Sequence, residues 1–190
     1  MKILASFSML ILLLVSLAAA PANRAVSHVP RSMIQLASVY PGGEKRMLCS
    51  GFVVDASRGL ALTAEHCIVN EQIALFVDDQ PSEVIKTSEW LALVKVPALT
   101  KPPLEIAPRL PDITAPTWGF GWAFGEKFLV LERPVAAHDG TDLVVGGAFI
   151  EGMSGGPVVN EQGQVVGLIQ GGVPAASWLS GANEIRDFLK

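Results

Sequence analysis

From Met33 onward the apolar positions fall in short runs separated by turn-forming residues. Met33-Ile-Gln-Leu-Ala-Ser-Val-Tyr is followed by Gly51-Phe-Val-Val, Gly59-Leu-Ala-Leu-Thr, Ile73-Ala-Leu-Phe-Val and Trp90-Leu-Ala-Leu-Val-Lys-Val. Lys127-Phe-Leu-Val-Leu, Asp142-Leu-Val-Val, Gly156-Pro-Val-Val and Gln164-Val-Val-Gly-Leu-Ile continue the series. Runs of roughly four to eight apolar residues between Gly, Pro, Asp and Asn have the length and punctuation of strands. The pattern predicts an all-β chain, a barrel or a sandwich. A helical period appears only over about 183–190, where Ile185, Phe188 and Leu189 share one face and Asn183 stands at the N-cap position. Six of the thirteen prolines, Pro97, Pro102, Pro103, Pro108, Pro111 and Pro116, crowd into one stretch. Proline cannot donate to a ladder, so 97–116 reads as a connector between two β-rich parts, about 33–96 and 117–172.

The first residues follow a different rule. Lys2 precedes an apolar run from Ile3 to Leu17, and Ala18-Ala19-Ala20-Pro21-Ala22 supplies small residues. This is the layout of a secretory signal peptide. Signal peptidases disfavour proline just after the cut, which puts cleavage after Ala22, with a mature domain over 23–190. The competing reading, an uncleaved anchor, needs the full length of a membrane span. Export implies a secreted or periplasmic protein, in an oxidising compartment where a cysteine pair can close.

Composition narrows the class. Half of the 190 residues are hydrophobic and 17% are charged, which excludes a disordered chain. A net charge of −4 leaves no basic footprint for nucleic acid. Two cysteines and three scattered histidines lack the spacing of a zinc site. No cofactor or metal is expected, and no membrane contact once the signal is removed. Nothing in the pattern asks for more than a monomer.

Two segments carry chemistry. In Gly152-Met153-Ser154-Gly155-Gly156-Pro157 a serine sits among small residues that expose its hydroxyl and let backbone N–H groups turn toward a carbonyl. A glycine-rich turn ahead of a strand would look the same. The second segment runs from Cys49-Ser50-Gly51 to Leu62-Thr63-Ala64-Glu65-His66-Cys67. A disulfide between Cys49 and Cys67 would anchor the segment carrying His66, stabilising the fold by about 3 kcal/mol in the chain-entropy model. A surface histidine beside a structural disulfide is the plain alternative. Chain order discriminates between hydrolase architectures. The α/β-hydrolase elbow needs a histidine after its serine, and none follows His138 here. The order His before Ser is that of the chymotrypsin type.

Taken together, these segments resemble the histidine box and serine box of the trypsin-like (chymotrypsin-fold) serine peptidases. The resemblance spans most of the chain from Met33. It implies two antiparallel β-barrels with a cleft between them, the proline-rich connector crossing from one to the other. It implies a polypeptide substrate, Ser154 as nucleophile, His66 as general base, and the N–H groups of Gly152 and Ser154 as the oxyanion hole. It pairs Cys49 with Cys67. Gln170, Gly171 and Gly172 match the strand that pairs with substrate, and Ala148 falls near the base of the primary specificity pocket. A small neutral residue there disfavours Arg or Lys at the cleaved position.

Two departures stand out. Trp90 occupies the place of the third triad member, an aspartate just ahead of the Leu91-Ala92-Leu93 strand. Glu89, one residue earlier, reaches His66 only through a bulge or register shift, since neighbouring strand residues face opposite ways. Asp78, Asp79 and Glu83 lie further from the strand start. The orienting carboxylate is worth about four orders of magnitude in rate. Three outcomes follow: Glu89 substitutes, a His66–Ser154 dyad works slowly, or the chain is a pseudopeptidase that binds peptides or proteins. The second departure, Met153 ahead of the serine, cannot form the ion pair of zymogen activation. Trp118-Gly-Phe-Gly-Trp-Ala-Phe-Gly reads as barrel packing, with large and small residues alternating. His28 and His138 read as incidental.

Overall fold

The structure, a computed structural model, describes residues 26–42, 46–68 and 74–190. The leader read from the sequence, 1–22, lies outside them. Seven strands, β1 (Met33–Val39), β2 (Arg46–Asp55), β3 (Leu60–Ala64), β4 (Ala74–Val77), β5 (Gln80–Pro81), β6 (Glu83–Thr87) and β7 (Leu91–Lys95), form one antiparallel sheet. Their order is β5-β4-β1-β2-β3-β7-β6. The edge strands β5 and β6 are consecutive in sequence with only Ser82 between them, so the sheet curls back toward itself. Six further strands, β8 (Pro116–Ala123), β9 (Lys127–Asp139), β10 (Asp142–Gly146), β11 (Pro157–Val159), β12 (Val165–Val173) and β13 (Ala176–Gly181), close into a barrel in the order β10-β13-β12-β11-β8-β9. This is the two-barrel, all-β architecture that the run pattern and the resemblance predict.

Burial explains why the runs are continuous. All five residues of β3 are buried, as are Leu91, Ala92, Leu93 and Val94 of β7. A strand covered on both faces has no polar alternation to display. Phe52, Leu62, Leu91 and Ile34 centre the first core; Leu143, Val145, Met153, Val158 and Leu179 centre the second. In β8 the alternation has a packing cause. The Phe149 ring lies over Gly119, and Met153 lies over Gly121.

The second barrel extends past residue 172, where the apolar pattern placed its end. Strand β13 includes Ser177 and Ser180, both buried, which interrupt the apolar run. Their hydroxyls are paired: Ser177 Oγ accepts from Phe149 N–H at 3.0 Å and donates to Gly147 O at 3.1 Å. Gln170 Nε2 donates to Ser180 Oγ at 2.9 Å.

The proline-rich segment threads between the two units. Leu104 N–H donates to Val53 O of the first at 2.9 Å, and Ala107 N–H to Val165 O of the second at 2.8 Å. The single α-helix among the described residues, α1 (Ala182–Phe188), buries Ile185 and Phe188 as its periodicity predicts. Gly181 is its N-cap, not Asn183, which lies inside the first turn and accepts from Arg186. From the other unit, Lys86 Nζ donates to Phe188 O at 2.6 Å and stands 4.7 Å from the Phe188 ring centroid.

Candidate active site

Ser154 sits in the loop between β10 and β11. Gly152 and Gly155 flank it with φ of +89° and +80°, conformations that L side chains rarely adopt. These left-handed steps turn the intervening peptides. Met153 N–H donates back to Ile150 O and Gly156 N–H to Met153 O, while Gly155 N–H reaches Ile169 O of β12. Among the described residues the N–H groups of Gly152 and Ser154 find no acceptor. Two unpaired backbone donors thus stand next to the serine. The half-buried Ser154 hydroxyl has one partner, Gln170 O, at a long 3.5 Å.

His66 is on the 3₁₀ turn Glu65–Cys67 that ends β3. Cys67, next to it, is disulfide-bonded to Cys49 with Cα atoms 6.0 Å apart. Ser50, next to Cys49, donates its N–H to Ser154 O at 2.9 Å. The dipeptide Cys49-Ser50 therefore ties the histidine turn by a covalent bond and the serine loop by a hydrogen bond. The buried Ser50 side chain adds a second tie, donating to Gly152 O at 2.8 Å and accepting from Trp122 N–H at 2.9 Å. Thr63 Oγ1 in turn donates to Ser50 O at 2.8 Å. Partial burial against the protein holds the His66 imidazole below its ordinary pKa, and the neighbouring Glu65 charge opposes this. The ring keeps an exposed side, so the displacement reflects desolvation of one face.

Among the described residues no carboxylate lies within ion-pairing reach of the His66 ring nitrogens. Glu89 is exposed, and its charge acts on Asp142 and Glu184 of the second barrel. Asp78 is engaged elsewhere, with Lys101 Nζ at 2.6 Å and Gln35 N–H at 3.0 Å. Asp79 lies in the turn after β4, and Glu83 lies on β6 opposite Lys95. Trp90 meets the site through its backbone, its carbonyl accepting from Glu65 N–H at 2.9 Å and from Gln170 Nε2 at 2.8 Å.

The remaining predicted residues lie on β12 and in the loop that follows β10. Gly171 and Gly172 are exposed on β12, and a Cβ at Gly171 would meet open space. Ala148 O accepts from Arg133 Nη2 at 3.0 Å. Among the described residues no group of three metal-ligating side chains comes together. Sequence reasoning passed over Ser50 and Glu65 although they adjoin Cys49 and His66. Their neighbours were the only available signal.

A curled sheet and a closed barrel carrying a histidine turn and a glycine-cradled serine define the architecture of a chymotrypsin-type serine hydrolase. The chain belongs to the trypsin-like peptidase domain family, whose model matches residues 49–168. Its fold is similar to the active form of the Rv3671c protease from M. tuberculosis, with a TM-score of 0.79 and 21% identity over 90% of this chain and 85% of that one. The inactive form of Rv3671c gives 0.75 and 20%, covering 90% and 94%. The serine endoprotease from Yersinia pestis gives 0.77 and 20%, covering 88% and 65%. No curated protein matches the sequence significantly.

Proposed function

We propose that this protein is an exported serine endopeptidase that cleaves polypeptides through an acyl-enzyme on Ser154. His66, neutral near pH 7, takes the Ser154 proton as the hydroxyl oxygen attacks the scissile carbonyl carbon. The resulting oxyanion accepts hydrogen bonds from the Gly152 and Ser154 N–H groups. His66 then returns the proton to the leaving amine, and water releases the acyl group by the same route. The observation behind this reading is the pair of acceptor-free N–H groups beside the Ser154 hydroxyl. Gly152 is a buried residue, and a buried N–H normally finds an acceptor.

The third triad role is unfilled in this reading. Ser154 and His66 work as a dyad, and Glu65 contributes only its charge, which favours the imidazolium formed during reaction. Glu89 is not assigned the orienting role. Substrate backbone pairs with Gln170–Gly172, and Ala148 sits under the side chain at the cleaved position, disfavouring Arg or Lys there. The Cys49–Cys67 disulfide and the leader over 1–22 support export of the 23–190 domain.

The test is covalent labelling with a fluorophosphonate probe, with Ser154→Ala and His66→Ala as controls. Labelling that disappears in both variants is the expected result. A folded, disulfide-closed protein that never labels would overturn the peptidase reading and leave a peptide-binding module in its place.

A further inference from the structure

Beyond Ile169, strand β12 is paired on one edge only. Gly171, Gly172 and Val173 oppose Trp178, Ser177 and Ala176 of β13, whereas β11 accompanies β12 only as far as Leu168. Among the described residues no strand covers the other edge of 170–173. This free edge starts at Gln170, whose carbonyl takes the Ser154 hydroxyl, so it leads away from the nucleophile. An extended peptide can add to such an edge as a further strand, its alternate side chains entering pockets on either face.

Register sets what stands on one of those faces. Directly opposed residues of an antiparallel pair point the same way. Gly171 opposes Trp178, so a peptide strand opposite Gly171 would complete a row with an indole at one end and no side chain in the middle. A Cβ at Gly171 would meet nothing within 4 Å, so the space over it is open. The register shift between Ile169 and Gly171 brings the Gln170 side chain to the same face, where Nε2 reaches Ser180 Oγ, two residues along from Trp178. There a cavity of about 120 Å³ is lined by Trp90, Asp142, Gln170, Trp178, Leu179 and Ser180. Its surface is almost wholly apolar. Trp90 and Trp178 form two of its walls and stay 46% and 43% exposed. The Gln170 amide is engaged within the wall: Nε2 donates to Trp90 O and Ser180 Oγ, and Oε1 is buried away from any guest. A polar guest would exchange water for this apolar surface. An aliphatic guest would remove both its own surface and the indole faces from water.

We propose that this cavity receives an aliphatic side chain about the size of leucine, from the substrate residue that pairs opposite Gly171 on the acyl side of the cleaved bond. The proposal rests on the peptidase reading for the path of the bound chain. It adds a second point of selection to the one at Ala148, since Gly171 lies one residue past the carbonyl beside Ser154. The volume, about that of four waters, matches the four side-chain carbons of leucine.

The experiment uses the full chain carrying Ser154→Ala and measures binding by calorimetry. Acetylated peptide amides carry leucine, alanine or lysine at each of the three positions preceding a central alanine. At one position leucine should bind about tenfold tighter than alanine, with lysine no tighter than alanine. That preference should hold when salt is raised from about 0.05 to 0.5 M, because no charge is involved. It should fall below about threefold in Trp178→Ala, which removes a wall, and in Gly171→Val, which fills the open space from within. The second variant guards against misfolding of the first, since a Cβ at Gly171 meets no neighbour. Equal affinities at every position, a preference for lysine, or no binding of any peptide would overturn the proposal, as would a leucine preference that survives both variants. Binding requires no turnover, so it is read separately from fluorophosphonate labelling of the unmodified protein, on which the peptidase reading stands.

Discussion

Ser50 Oγ donates to Gly152 O at 2.8 Å across the junction of the two barrels. The same oxygen accepts from Trp122 N–H, so one buried hydroxyl satisfies two backbone groups from the second barrel. Gly152 carries one of the two unpaired N–H donors, and its carbonyl is held by a residue next to the disulfide. Removing this hydroxyl in Ser50→Ala strands a buried C=O and a part-buried N–H. A loss of about 1–3 kcal/mol is expected in urea unfolding. The fluorophosphonate labelling rate should fall by about tenfold, because the Gly152 peptide is no longer held in place.

The Cys49–Cys67 bond closes a loop of sequence separation 18 and holds the histidine turn. Replacing both cysteines by alanine should cost about 2–4 kcal/mol. Denaturant midpoints of the wild-type protein should drop toward those of the variant when reductant is added. A variant as stable as the oxidised wild type would mean the bond constrains nothing.

Gly155 permits the close approach of the serine loop to the first barrel. A methyl there would drive into Ser50 O and Thr63 Oγ1, on a backbone already at φ +80°. Neither contact is with a flexible chain end. Gly155→Ala should therefore destabilise by more than about 3 kcal/mol, read as a loss of folded protein in thermal melts.

Burial lowers the pKa of His66 below the ordinary value near 6.5. The group stays neutral in the folded state at pH values where the unfolded chain already binds a proton. Its stability contribution is thus complete above about pH 6.5 and is lost as pH falls through the folded pKa. The acid limb of fluorophosphonate labelling should likewise lie below pH 6.5. Glu65 opposes the lowering, so Glu65→Gln should move the limb further down. An NMR titration of the His66 ring protons checks both shifts.

Trp90→Asp tests the missing carboxylate directly. The Trp90 carbonyl is already bound to Glu65 N–H and Gln170 Nε2, so the backbone is in place to present a new side chain. The full effect of an orienting carboxylate is about four orders of magnitude. A gain of about tenfold or more in labelling rate is expected, since Gln170 is not tailored to the new group. An unchanged rate would mean that His66 needs no partner in this scaffold.

The apolar runs and the proline cluster carried the architecture. A doubly covered strand such as Leu91–Lys95 must be apolar nearly throughout, and a segment with so many prolines cannot be a central strand. The serine and histidine segments were legible for a similar reason, since glycines and a flanking cysteine leave local marks. Strand β13 was not legible, because buried, hydrogen-bonded Ser177 and Ser180 look like surface residues in a sequence.

What the sequence alone determined is therefore what depends on near neighbours: strand-length runs, the connector, the glycine frame around Ser154, the cysteine beside His66. Only the tertiary structure decided what sits across the junction. Cys49-Ser50 holds both site segments, the charge of Glu89 acts on Asp142 and Glu184, and Trp90 joins Trp178 around a cavity. These pairs lie dozens of residues apart, and a strand's side chains alternate between faces. Which face meets which partner is set by how two barrels dock, and no local pattern encodes that.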